Sequence, residues 1–422
     1  VPAAPATDAA PPDAAWFAGR MAGLGPWAGG PVALAVSGGA DSLALAWLTQ
    51  RWQAGTAQGR PDRLLGLIVD HRLRPESADE AALTARRLAA IGVESRILRL
   101  DNLGPGPAIA ARARAARYTA LFAACREAGA IDLLLAHHRL DQAETVAMRE
   151  RAGSRERGLA AMATIAEQRD LRLVRPLLGC PPQGLREVLR AAGLGWVEDP
   201  SNADHRHTRA RLRAGLRDDP DAIAALLARA AAAGSARMRG EAALADELAA
   251  CCAPTAYGAV ALRVAPARLS PAALSALVRW VGAGAFAPGT NALATFAARA
   301  AAGATLGGVR AVRSAGAVWL VREPAACAAP VAAADGAVWD ARFRLRGRPG
   351  DGVTLGALGA QPPPRVVAHP WPKPALRAAI PALRQGARLV AVPHLGFFEP
   401  GYADLGVEPV WRDPLLGRAL WP

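Results

Sequence analysis

The sequence predicts an α/β fold class: a doubly wound, mostly parallel sheet, followed by a helical domain and a small β-rich C-terminal domain. Three observations carry this. From Val32 to about Asp199, short apolar runs alternate with helical patterns, the mark of crossover connections in a parallel sheet. After Pro220 the chain becomes Ala- and Leu-rich with helical periodicity. From about residue 335 it is dense in Pro and Gly with short alternating runs.

The elements follow in order. The opening VPAAPATDAAPPDAA lacks a cationic segment followed by an apolar one, so residues 1–25 are expected to be a disordered leader and not a signal peptide. Strands are expected at Val32–Val36, Leu64–Val69, Ser95–Leu98 and Leu133–Ala136. Helices follow them: one opening near Ser42, then Ala78–Ala90, about Ile109–Ala128 and about Leu140–Glu150. Handedness makes this an open twisted sheet whose ligand lies at the carboxyl ends of its strands. A long helix is expected over Asp221–Ala250, strand-like runs over Val309–Val312 and Ala317–Val321, and a linker over Pro324–Pro330. The domains expected are a catalytic one at 26–218, a mainly helical one at 219–330 and a β-rich one at 331–422.

Composition narrows the class. The 422 residues carry 50 Lys+Arg against 36 Asp+Glu, a net charge of +14, with 52% hydrophobic residues, which excludes an acidic disordered chain and a disulfide-knotted miniprotein. Lys373 is the only lysine. An arginine surplus of this kind fits either coding bias or a polyanion-binding surface. Cys125, Cys180, Cys251, Cys252 and Cys327 form no CxxC pair and no Cys/His zinc spacing, which suits a cytoplasmic, reducing environment. No apolar stretch reaches membrane-spanning length, so no membrane partner is expected.

The most informative segment is VALAVSGGADSLAL, a buried strand, then Ser37-Gly38-Gly39-Ala40-Asp41-Ser42, then a helix. Two glycines allow a sharp turn and close approach, and the helix N-terminus presents N–H groups to an anion. Ser37 and Ser42 add hydroxyls; Asp41 suits Mg²⁺ or a helix cap. An ordinary glycine turn with a Ser/Asp cap is the plain alternative. Walker-type chemistry is disfavoured because the loop has no GK[ST] lysine. The fourth strand runs into His137-His138-Arg139-Leu140-Asp141-Gln142-Ala143-Glu144. There Asp141 and Glu144 stand at i,i+3 on one helical face behind His137, a group able to hold Mg²⁺, bind an ammonium or accept a proton. First-turn acidic residues also favour the helix dipole without any catalytic role.

In order and spacing, SGGADS, DHRLRPES (70–77), ARAARY (113–118), HHRLDQAET (137–145), the run from Gly153 to Met162, RPLL (175–178) and GLGWVEDPSNAD (193–204) resemble the tRNA(Ile)-lysidine synthetases, a family of N-type ATP pyrophosphatases with an adenine nucleotide alpha hydrolase-like fold. TLGGVR (305–310), WDARFRLRG (339–347) and VPHLGF (392–397) look like that family's weaker C-terminal patterns. The resemblance implies a carbon–nitrogen ligase using ATP and Mg²⁺. The wobble cytidine of a tRNA(Ile) with a CAU anticodon would be adenylated, and free L-lysine would then displace AMP to give lysidine.

By the same resemblance, Ser37, Gly38, Gly39, Ala40, Asp41 and Ser42 would hold ATP, with Asp70, His71 and Arg74 near the adenosine and Asp41 the Mg²⁺ ligand. Asp41, His137, Asp141, Glu144, Arg114 and Arg209 would serve catalysis. Arg117, Arg211, Arg213, Arg342, Arg344 and Arg346 would meet tRNA, the last three expected on one face of a strand whose other face is apolar; a solvated outer face explains that alternation equally. A homodimer is left open. The chain departs from the family pattern at Leu140, where Asp is usual, at Ala152 and Arg155 in the following loop, and at Ala210, where Asn is common. The alternatives are a tRNA 2-thiolation enzyme of the same superfamily, which commonly uses reactive or cluster-binding cysteines, a metabolic amidotransferase, which needs an ammonia source, and a catalytically silent RNA-binding protein.

Overall fold

The computed structural model describes residues 11–27, 29–55, 61–101, 103–104, 106–154, 156–168, 170–198, 212, 215–216, 219–360, 373–410 and 419–420. The chain divides into two compact units, a first to Arg239 and a second from Gly240 to Gly417.

In the first unit, strands β1 (Val32–Ala35), β2 (Leu64–Asp70), β3 (Glu94–Arg99), β4 (Asp132–Leu134), β5 (Ile165–Glu167) and β6 (Arg172–Val174) join a seven-stranded sheet. With β20 (Ala419–Leu420) at one edge, the order is β20-β5-β6-β4-β1-β2-β3. The pairs β1–β2, β2–β3, β1–β4 and β4–β6 are parallel, and β5 runs antiparallel to β6. Strand order reverses at β1, so the ends of β1 and β4 frame the crevice where open α/β sheets bind ligands.

The two-residue period of β1 sorts its side chains. Val32 and Leu34 join a core with α1 (Ala14–Leu24), α2 (Ala40–Ala54), α3 (Ser77–Ala90) and α7 (Pro182–Ala191). Ala33 and Ala35 face the opposite side, where Leu121, Ala124 and Cys125 of α4 (Ile109–Ala128) pack. Helices α5 (Arg139–Arg151) and α6 (Glu156–Leu159) connect β4 to β5.

One element overturns an expectation. Residues 14–24, expected to be disordered, form α1, because Phe17 and Met21 fall one turn apart and are both fully buried. Asp13 caps the helix by accepting from the Trp16 N–H at 2.7 Å.

A long helix α8 (Pro220–Cys251) runs from one unit into the other. The segment expected to be mainly helical also holds α9 (Pro271–Gly282) and α10 (Thr290–Arg299). It adds a five-stranded antiparallel sheet of β7 (Cys252–Pro254), β8 (Val260–Leu262), β9 (Thr305–Leu306), β10 (Val309–Ser314) and β11 (Ala317–Arg322). Strands of two or three residues are too short to show periodicity, which is why the sequence reads as helical there. Gly282 lets α9 approach this sheet: a Cβ would lie 2.2 Å from the Gly307 carbonyl oxygen.

The β-rich C-terminal part holds β12 (Val331–Ala332), β13 (Val338–Trp339), β14 (Phe343–Arg346), β15 (Val353–Ala357), β16 (Pro381–Gln385), β17 (Arg388–Val392), β18 (Phe397–Phe398) and β19 (Gly406–Pro409). They form one five-stranded and one three-stranded sheet around Trp339, Phe343, Leu345, Leu355 and Leu383. Among the described residues, no helix is long and apolar enough to cross a membrane.

Candidate active site

The loop after β1 is shaped by its own small residues. Gly38 sits at φ +84°, and a Cβ there would meet Thr84 Oγ1 at 2.3 Å, so both the backbone conformation and the packing require glycine. Ser42, 5% exposed, accepts the Ser37 N–H at 3.1 Å and donates to the Gly39 carbonyl at 3.0 Å, closing the loop onto the first turn of α2. The Gly39 cap has no side chain to satisfy the first N–H groups of α2, which leaves that helix end open to an anion. From the far end of the domain, the Val197 N–H donates to the Gly38 carbonyl at 2.9 Å. Trp196 beside it donates to Glu198 at 2.6 Å and packs on the core.

At the end of β4 both histidines lie by the acidic residues: His137, the expected one, is buried with Asp141 close enough to act on it, and His138, which the sequence reading gave no role, lies 3.5 Å from Asp41 and from Asp141. His138 is the N-cap of α5 and forms a capping box. The Asp141 N–H donates to His138 Nδ1 at 3.3 Å, and Asp141 Oδ2 accepts the His138 N–H at 3.1 Å. With Nδ1 accepting, the neutral ring carries its proton on Nε2, which lies 3.5 Å from Asp41 Oδ2. His138 thus bridges Asp41 of the phosphate-type loop to Asp141 of α5. The helix begins at Arg139, so His138 is the residue that caps it. The doublet with Asp three positions later was the available signal.

Glu144 is 3% exposed in α5. Gln142 clamps the following loop, donating to the Met162 carbonyl at 2.7 Å and accepting the Met162 N–H at 3.0 Å. Leu140 is 6% exposed, in a core with Ala143, Val146, Leu216 and Leu226; that apolar neighbourhood accounts for a leucine where the resembled family has an aspartate.

The other expected residues divide. Asp70, 3% exposed, accepts the Arg72 N–H at 2.9 Å and so fixes the turn after β2. Arg74 is exposed and pairs with Glu80 at 2.9 Å. His71 and His137 each keep a buried Nδ1 without a partner. Burial, then the Arg175 guanidinium, pushes His137 down to about 3 against the opposing pull of Asp141. Burial and then Arg117 lower His71, opposed by Asp70. Arg175, which the sequence reading quoted within RPLL (175–178) but gave no role, is 8% exposed and lies in this same neighbourhood. Its neighbours come from α4 and other strand ends, so the RPLL motif marks its position but does not give its role. Arg209, Arg211, Arg213, Ala210 and Arg155 lie outside the described residues.

In the C-terminal part the expected arginine face is corrected. Asp340 and Ala341 take positive φ of 52° and 53°, which breaks the alternation before β14 begins. Arg342 is in consequence fully buried, with Nε donating to Asp340 at 2.8 Å, and cannot meet a large partner. Arg344 and Arg346 both hold Glu408, at 3.3 and 2.9 Å, and Arg346 is the exposed one.

Asp41 Oδ1 is buried and has no partner, as a carboxylate oxygen reserved for a cation would be. Among the described residues no group of three or more His, Cys, Asp or Glu could cage a metal.

Residues 24–219 match the family model described as "PP-loop domain". Over this region the chain is similar to PP-loop domains. PP-loop domains use ATP, and in this chain the glycine-turned loop at 37–42 presents an open helix end. Among curated relatives, a tRNA(Ile)-lysidine synthase of Bradyrhizobium sp. strain BTAi1 is 45% identical over 213 residues, 49% of this chain and 59% of the relative. One from Brucella anthropi is 41% identical over 221 residues, 50% of this chain and 48% of the relative. The chain spans about half the length of the curated relatives it matches. Among solved structures, the U34-tRNA thiolase NcsA from Methanococcus maripaludis aligns over 51% of this chain and 76% of its own, at 15% identity and a TM-score of 0.43.

Proposed function

We propose that the chain is an ATP-dependent ligase that converts the wobble cytidine of a tRNA(Ile) with a CAU anticodon to lysidine. The observation that carries this reading is the His138 bridge, which ties the phosphate-type loop to the Asp141–Glu144 helix. It joins an activation site to an amine site within one crevice, as a two-step ligation requires.

In the first step, the loop 37–42 and the N-terminus of α2 hold the β- and γ-phosphates while the cytosine 2-oxo group attacks the α-phosphorus and pyrophosphate leaves. Bound Mg²⁺ would be held by Asp41 and supply charge neutralisation at the phosphates. Asp70 and His71 line the turn beside the adenosine. In the second step, Asp141 and Glu144 receive the lysine ε-ammonium. Asp141, hydrogen-bonded to His138, is placed to take the proton that frees the amine for attack on carbon 2, with AMP leaving. Arg114 stands at the rim to meet charge on the adenylated base, and exposed Arg346, beside half-buried Arg344, offers cationic surface of the C-terminal part to the tRNA backbone.

A thiolation reading finds no support in the cysteines. Burial pushes the Cys125 and Cys180 thiols up to about 12, far from a thiolate nucleophile. The test is incorporation of radiolabelled lysine into tRNA(Ile) bearing CAU, run beside CAU-bearing methionine tRNAs. Lysine is expected in the isoleucine tRNA alone, with one AMP and one pyrophosphate released for each. Sulfur transfer, or no ATP turnover with any tRNA, would refute the proposal.

A further inference from the structure

Arg175 leaves the end of β6 in an unusual position. It is 8% exposed, donates from Nη1 to the Ala163 carbonyl at 2.7 Å, and keeps a buried Nε with no partner. Tyr118 is near enough to act electrostatically on its guanidinium and lies beneath Arg114, whose Cζ is 5.2 Å from the ring centroid. Arg117 precedes Tyr118 on α4 and is close enough to lower both His71 and His137. Arg114, Arg117 and Arg175 therefore converge on the carboxyl ends of β2, β4 and β6. Among the described residues, none of the three makes an ion pair with a carboxylate.

Two partly buried arginines elsewhere meet carboxylates. Arg172 meets Asp132 at 2.7 Å, and Arg322 meets Asp340 at 3.0 Å. A guanidinium does not give up its proton, so Arg175 and half-buried Arg117, without a carboxylate among the described residues, form a site that is costly until an anion enters it. Two unpartnered imidazole nitrogens, on His71 and His137, border the same space.

We infer that Arg117 and Arg175, with Arg114 at the exposed rim, form an oxyanion subsite on the α4 side of the sheet, which takes the carboxylate or phosphate group of a co-substrate. It is separate from the loop at 37–42, because α2 and α4 pack on opposite faces of the sheet. The source of the anion rests on the function proposed above: either the α-carboxylate of the free amino acid or a tRNA phosphate. The planar fork of arginine suits both.

The experiment has a binding arm and a kinetic arm. In the full chain, the ring signals of His71 and His137 are followed by NMR as acetate and then inorganic phosphate are added. They should shift saturably, and Arg175→Gln should weaken that response at least tenfold. Arg117→Gln should do the same without disturbing the bond from Arg175 to Ala163, and Arg175→Lys should recover part of it. Absent shifts, or shifts equal in the wild type and both glutamine variants, overturn the subsite. In the kinetic arm, Arg175→Gln raising KM for lysine at least tenfold while leaving that for cadaverine unchanged assigns a carboxylate. An unchanged KM for lysine with a shallower salt dependence of tRNA binding assigns a phosphate, and no change in either overturns the inference. If no amine is incorporated at all, the functional proposal fails while the NMR arm still decides the subsite.

Discussion

His138 owes its place between two carboxylates to backbone geometry and not to its own chemistry: it is the last extended residue before α5, so its ring turns inward and accepts from the third helical N–H. Replacing it by alanine should slow tRNA-dependent pyrophosphate release about 100-fold or more, the usual range for a positioned proton-handling group, with a smaller loss for His137→Ala. Equal losses in the two variants would remove His138 from the role given to it. His137 itself makes a prediction about stability. Its folded value near 3 lies below the ordinary 6.5, and His394 is pushed down to about 4 by burial. The unfolded chain therefore binds more protons between these values and 6.5. The stabilisation is fully present above pH 6.5 and is lost as pH falls toward the folded values. Tm should drop between pH 7 and pH 4.5, and less so in His137→Gln; identical slopes would mean that the ring is not held neutral.

At the scale of elements, the loop at 37–42 tolerates little. Gly38→Ala forces a Cβ against Thr84 Oγ1 and a positive φ on an alanine, which should cost about 1–3 kcal/mol and abolish ATP binding. Adding Thr84→Ala relieves the contact but not the strain, so the double variant should recover only part of the loss in denaturant titrations; full recovery would locate the whole cost in the clash. This loop was legible in the sequence because every residue that shapes its turn is local. The four parallel strands β1 to β4 were legible because a short apolar run marks each and a helical pattern follows it. Strands β5 and β6, at three residues each, carry no period, and α1 hides in Ala/Pro-rich composition. Long-range partnerships are what the sequence withholds. Arg175 gains its meaning only from Tyr118 and Arg117, which topology and not proximity in sequence brings to it.

For the molecule as a whole, the arginine surplus divides by burial. Arg342 with Asp340 and Arg322 is an internal tie, so Arg342→Ala should cost about 3 kcal/mol in stability by leaving that buried cluster short of a cation. Arg346 is exposed, and Arg346→Gln should leave Tm alone and reduce the salt slope of tRNA binding by about one. An unchanged slope would return Arg346 to an ordinary solvated surface. The bond from Val197 to the Gly38 carbonyl has a consequence for biosynthesis. A nascent chain has made its nucleotide loop long before it has made the residue that braces it. The emerging domain should thus gain its full affinity for ATP only when the segment around Val197 has left the ribosome, and a ribosome stalled earlier should display a loop of correct sequence and weak grip.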